Sequence, residues 1–172
     1  RQMCIRDRYV DVAGSDEASD CIDCVAGTYV EGSGSSLESQ CTACESGKYS
    51  SVLGSASESN CIDCVAGKYV DVAGSDSSTD CIDCVAGTYV EAVGSDSSSD
   101  CIGCVAGRYS TVLGSAAGVN CIACTAGRYV VASGSDDASD CAACVAGRYS
   151  GLSGSSSADD CIAVSYTHLT LP

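Results

Sequence analysis

Apolar residues in this chain come in short islands that return on a fixed beat. One island holds Ile22, Val25 and Tyr29-Val30; a polar stretch then runs to Gln40, and the same order of residue types starts again at Cys41. Thr28-Tyr29-Val30 has strand composition, β-branched and aromatic. Gly27 precedes it, where the chain needs a positive φ or a tight turn after the cysteine pair. Gly34-Ser35 marks the next turn, and the Ser/Asp-rich run to Gln40 reads as a surface loop. Two-stranded pieces this short cannot bury a core alone. No apolar run approaches the ~18 residues of a membrane-spanning helix.

The beat is twenty residues, with no insertion or deletion. Cysteine pairs recur as Cys21/Cys24, Cys41/Cys44, Cys61/Cys64, Cys81/Cys84, Cys101/Cys104, Cys121/Cys124 and Cys141/Cys144, with Cys161 opening the next. The unit is C-x-x-C-x-x-G-x-Y-x4-G-S-x5, whose scaffold positions include Gly27, Tyr29, Gly34, Gly67, Tyr69 and Gly74. A longer period is superimposed. Tyr9–Asp16 returns unchanged from Tyr69, and Tyr49–Ala56 returns from Tyr109 with one change, Ser51 to Thr111. Blocks of three modules have been copied together, which is the habit of a structural array rather than an active site. The expected fold is small, disulfide-rich and mostly β or irregular. It is an elongated tandem array of ~20-residue modules with almost no helix, each touching its immediate neighbours only.

Composition sharpens this picture. The 172 residues include 16 Cys and 19 Gly but no Trp or Phe, and the net charge is −15. Between residues 9 and 163, Val, Ile and Leu number only 27. That is under the roughly 20% below which a highly charged chain stays disordered. Cross-links or metals must therefore supply the order. A compact enzyme core is excluded, and so is nucleic-acid binding, because an acidic chain repels phosphate. The charges are phased as well. Lys48, Lys68, Arg108, Arg128 and Arg148 all stand between a Gly and a Tyr, while Asp23, Asp63 and Asp83 stand inside Cys pairs. They read as a solvated face with weak surface pairs.

The two ends break the pattern. The reverse complement of one codon set for Arg1–Asp7 translates as Val164–Thr170. The string resembles a transposase adapter read in frame at both ends. Residues 1–8 and 164–172 are therefore expected to be adapter-derived, not native, and to make no packed contacts. The array occupies 9–163 and is expected to be a fragment of something longer, with any signal peptide or membrane anchor outside it. The only His, His168, falls in the excluded tail.

Three uses of the cysteines fit the spacing. In the disulfide reading, the second Cys of one pair joins the first of the next. That gives Cys24–Cys41, Cys44–Cys61, Cys64–Cys81, Cys84–Cys101, Cys104–Cys121, Cys124–Cys141 and Cys144–Cys161. Cys21 needs an upstream partner, and Cys4 stands at the right distance. Each closed loop is worth roughly 3 kcal/mol by loop entropy. In the zinc reading, C-x2-C-x16-C-x2-C falls inside the zinc-ribbon window, although the pairs lack the Gly and basic residues usual at a zinc knuckle. A redox C-x-x-C is the third use, without the βαβ pattern that normally carries one. Calcium is a further metal candidate through Asp-rich loops such as Ser75–Asp80, which match no EF-hand. For nucleophilic catalysis there is neither a His in the array nor a nucleophile elbow. No other cofactor is implied.

C-x-x-C-x-x-G-x-Y, followed by a Gly and a further C-x-x-C, resembles the ephrin-receptor-like cysteine-rich repeat. That family is related to the small modules of tumour necrosis factor receptors. The likeness runs over 9–163 as about seven copies. It implies an extracellular, disulfide-stapled rod of small β modules, and it supports the pairing set out for the disulfide reading. The sequence departs from the family at Val25, Glu45, Val65, Val85, Val105, Thr125 and Val145, where Pro is common. The expected function is a non-catalytic spacer or adhesive stalk of a secreted or cell-surface protein, contacting a protein or glycan ligand. The rival is a metal-binding repeat protein.

Overall fold

The structure is a computed structural model and describes residues 8–10, 18–32 and 37–165. Two units are distinguished, residues 1–83 with 92–100, and residues 84–91 with 101–172. Both are built from one module. A two-residue strand such as Thr28–Tyr29 pairs antiparallel with Thr42–Ala43, placing Thr28 opposite Ala43 and Tyr29 opposite Thr42. The Cys44 amide extends the ladder by donating to the Gly27 carbonyl at 2.8 Å. Between the strands lies a turn of 3₁₀-helix, Glu38–Gln40 in this module. Eight such hairpins recur among the described residues, and their only helical turns are these three-residue pieces. The small, disulfide-rich, mostly β tandem array read from the sequence is the fold observed. Among the described residues no helix is long and apolar enough to cross a membrane.

In the first unit, each strand also receives the turn of the next module on its free edge. Gly27 donates to the Ser50 carbonyl at 2.7 Å and Val30 to the Ser55 carbonyl at 3.0 Å. The result is a parallel bridge from Tyr29 to Ser55, repeated from Tyr49 to Ser75 and from Tyr69 to Ser95. Gly54 closes the circuit by donating to the Cys24 carbonyl at 2.8 Å. The second unit repeats the scheme, with bridges from Tyr89 to Ser115, Tyr109 to Ser135 and Tyr129 to Ser155. A lone hairpin leaves a strand edge without partners. Here the following module supplies them.

Contacts reach one module further than the sequence suggests. Gly27 has φ +81°, and a Cβ on it would overlap the carbonyl oxygen of Gly74, two modules on. Gly47 meets Gly94 in the same way, and in the second unit Gly87 meets Gly134 and Gly107 meets Gly154. The expectation of nearest-neighbour contacts alone is therefore corrected. Because the residue at the contact is glycine, with no Cβ in the way, a third module can touch the first.

The interior is made of sulfur, Val and Ser rather than a conventional aliphatic core. In the first unit Cys64, Val70 and Cys81 form a buried cluster with the Tyr49 ring packed on it. In the second, Cys124, Val130 and Cys141 do the same under Tyr109. Each of these rings thus lies on the disulfide of the following module, an aromatic–sulfur contact. Ile62 stands opposite Tyr49 in register, yet it is 49% exposed and lies outside this cluster.

Two residues assigned to the excluded ends behave as repeat residues. Arg8 pairs with Asp23 across the first hairpin and forms an ion pair with it at 2.6 Å. The Val164 amide donates to the Gly147 carbonyl at 2.9 Å, as Cys44 does to Gly27. Backbone pairing is indifferent to side-chain identity, and Arg8 occupies the cation position of the module. The expectation that 1–8 and 164–172 make no packed contacts is corrected at these two residues. The other end residues that are masked, 1–7 and 166–172, lie outside the described residues.

Candidate functional site

The recurring chemical feature is the staple. Disulfides join Cys24 to Cys41, Cys44 to Cys61, Cys64 to Cys81, Cys84 to Cys101, Cys104 to Cys121, Cys124 to Cys141 and Cys144 to Cys161. Each spans 17 residues, with Cα atoms 5.7 or 5.8 Å apart. That separation suits an unstrained bridge. Cys21 is disulfide-bonded too, while Cys4 lies outside the described residues. No described cysteine is a free thiol. Zinc needs thiolates, and the cysteines are committed to one another. Among the described residues, no group of three His, Cys, Asp or Glu is arranged to hold a metal ion. The zinc alternative therefore has no support, and no described Asp-rich loop supplies such a group.

The scaffold residues read from the sequence fall where the hairpin needs them. Gly67 and Gly74 have φ +88° and +82°. Tyr29 and Tyr69 end their first strands, opposite Thr42 and Ile82. Gly34 lies outside the described residues. The Tyr29 phenol is held above its ordinary pKa, first by loss of water around it and then by the carboxylates of Glu58, Glu31 and Glu45.

Charged side chains occupy the hairpin face in a matched way. Lys68 Nζ meets Asp83 Oδ1 at 2.7 Å across the strands, and Lys48 reaches Glu58 at 3.8 Å. Where the opposite residue is Ala, the guanidinium turns to the backbone. Arg108, Arg128 and Arg148 donate through Nη1 to the carbonyls of Cys121, Cys141 and Cys161 at 2.7, 2.8 and 2.9 Å. Asp occurs in this register only opposite a cation, at Asp23, Asp63 and Asp83, whereas Thr28 and Thr88 face Ala43 and Gly103. The pairing across the hairpin was visible in the sequence only as two separate phases of charge.

Sequence reasoning missed the serines. Ser55, Ser75, Ser95, Ser115, Ser135 and Ser155 are all buried, as are Ser50, Ser110 and Ser150. Ser50 Oγ accepts from the Val52 amide at 3.4 Å, and Ser55 Oγ donates to the Val52 carbonyl at 3.3 Å. A buried hydroxyl so satisfied costs little. The signal was available, because Ser follows Gly in every repeat from Ser15 to Ser155, more strictly than a surface turn requires.

A groove of about 580 Å³ beside the third staple is lined by Tyr49, Val65, Lys68, Ser78, Thr79, Cys81, Ile82 and Asp83. Its lining mixes apolar side chains with the hydroxyls of Ser78 and Thr79 and the Lys68–Asp83 ion pair. It contains no nucleophile set beside a base.

Tandem small modules, each closed by a disulfide and edged by the next, define a small, disulfide-rich tandem repeat protein. The family model described as tyrosine-protein kinase ephrin type A/B receptor-like matches residues 32–81 and 54–101. The chain is thus similar to ephrin-receptor-like cysteine-rich repeats over that stretch, as its Cys-Gly-Tyr spacing suggests. No curated protein sequence matches the chain.

Proposed function

We propose that this chain is a non-catalytic extracellular stretch of a larger secreted or cell-surface protein. It acts as a spacer or adhesive stalk that makes weak, repeated contacts with a protein or glycan partner. The observation that carries this reading is the 17-residue staple repeated every twenty residues through the described array. Such bridges persist in oxidising surroundings and are rare in the cytosol. The ephrin-receptor-like match supports the same compartment. The near-identical copies favour length or avidity, since linked weak sites gain affinity without any new contact. The stalk needs no cofactor, and neither nucleic acid nor catalysis enters its work.

Thermal unfolding of the purified chain, with a dithiol reductant or with a chelator, tests the reading. Reductant should abolish the cooperative transition, and chelator should leave it unmoved. Unfolding by chelator alone would overturn the spacer reading in favour of a metal-binding repeat.

A further inference from the structure

The connectivity of the staples carries an inference that rests on the spacer reading and deepens it. From Cys24 to Cys161 the chain alternates between disulfide-closed loops and two-residue links. Cys24–Cys41 is followed by Thr42-Ala43, Cys44–Cys61 by Ile62-Asp63, and so on to Cys144–Cys161. A pulling force therefore has a covalent route that bypasses every loop. It crosses a disulfide, runs along one C-x-x-C, and crosses the next disulfide. We infer that the array is a load-bearing tether, its length capped by this bypass and its continuity kept when a loop is cut.

The lengths follow from chain geometry. Each staple spans 5.7 or 5.8 Å between Cα atoms. The three residue steps of a C-x-x-C add at most about 11 Å when fully extended. One module can therefore never exceed roughly 17 Å along the load path, against roughly 70 Å for the same twenty residues without the bridge. Loss of every hydrogen bond in a hairpin cannot carry a module past that limit. The non-covalent fold can open and close under load without the tether exceeding its cap.

The same layout places common cleavage sites where a cut is harmless. Lys48, Lys68, Arg108, Arg128 and Arg148 all lie inside closed loops, as does every Tyr from Tyr29 to Tyr149. The links are Thr42-Ala43, Ile62-Asp63, Ile82-Asp83, Ile102-Gly103, Ile122-Ala123 and Ala142-Ala143. They carry no cation and no aromatic ring, and each is a paired strand of a hairpin. A cut after Arg108 leaves its two ends joined through Cys104–Cys121.

Single-molecule pulling on the full oxidised chain tests this, with handles coupled by thiol-free chemistry at Asp23 and Ile162. The distance between the handles should saturate at about 110 Å, the sum of the staples and extended links. Trypsin should not change it. A dithiol reductant should then release about 55 Å for each staple opened in the uncut chain, and should part the trypsin-treated one. Extension of the oxidised chain by tens of ångströms per module, or its separation by trypsin before reduction, would overturn the inference. The comparison of reductant with chelator does not depend on these lengths, so the tether and the spacer reading can fail separately.

Discussion

At the scale of the residue, glycine and tyrosine hold the array together by what they lack and what they cover. Gly87 has φ +82°, and its missing Cβ leaves room for the Gly134 carbonyl. Gly147 has φ +81° but nothing within 4 Å of the same point. The two positions separate backbone strain from module contact. Gly147→Ala should lose only the left-handed penalty, about 1–2 kcal/mol. Gly87→Ala should lose several times more or fail to fold, because backbone cannot move aside as a flexible side chain can. Equal losses in denaturant melts of the two variants would remove the next-but-one contact from the account. A milder case is Lys68 with Asp83, 33% and 47% exposed. A double-mutant cycle on this pair should give a coupling of about 0.2–1 kcal/mol, fading as salt is added. A coupling that salt leaves unchanged would mean the pair is not the surface contact described. The Cys-Gly-Tyr positions were legible because they recur. The role of the Gly27 type as a contact between modules was not, since a sequence does not show which carbonyl comes near.

At the scale of the element, the 3₁₀ turn of several modules is set by a short polar cap. Ser57, Ser77 and Ser157 accept the amide two residues on, and Asp137 does the same for Ser139 at 2.7 Å. The Ser139 amide and hydroxyl hold the Asp137 carboxyl below its ordinary pKa. A lowered carboxyl pKa adds stability that is fully present above the unfolded value of about 3.9. That contribution is lost as pH falls through the folded value. The Ala138–Asp140 turn should therefore loosen in acid. Asp137→Ser should remove that part of the pH dependence while leaving in place Asp140, which accepts the amides of Asp136 and Asp137. Carboxyl NMR titration of the wild type and the variant would read this. An Asp137 that titrates like a free carboxylate would contradict it. The module around Gly118–Asn120 has Ala117 at the cap position and no side-chain cap. Ala117→Ser should stabilise it by about 0.5–1 kcal/mol, seen as a raised melting temperature, whereas no gain would mean the cap adds nothing here. The strand was legible in Thr28-Tyr29-Val30 and the turns in Gly and Ser. The burial of Ser55 was not, because a Ser-rich run reads as solvent-facing until its neighbour's strand edge is known.

At the scale of the molecule, the sequence contains too little aliphatic material for a core and supplies cysteine instead. The buried clusters bear this out, being two cysteines and a Val under a Tyr. The tandem disulfide-rich class was therefore readable from period and composition together. The reach across two modules was not, since it depends on how closely one module stacks on the next, and residue order does not encode that directly. The same limit applies to a partner. The shared positions are scaffold, and the exposed ones vary without a motif. The staples hold every module closed. Peptide mapping of the unreduced chain should recover bridges between cysteines seventeen residues apart, Cys24 with Cys41 through Cys144 with Cys161. Bridges within a pair, such as Cys41 with Cys44, or free thiols accompanied by bound zinc, would contradict it.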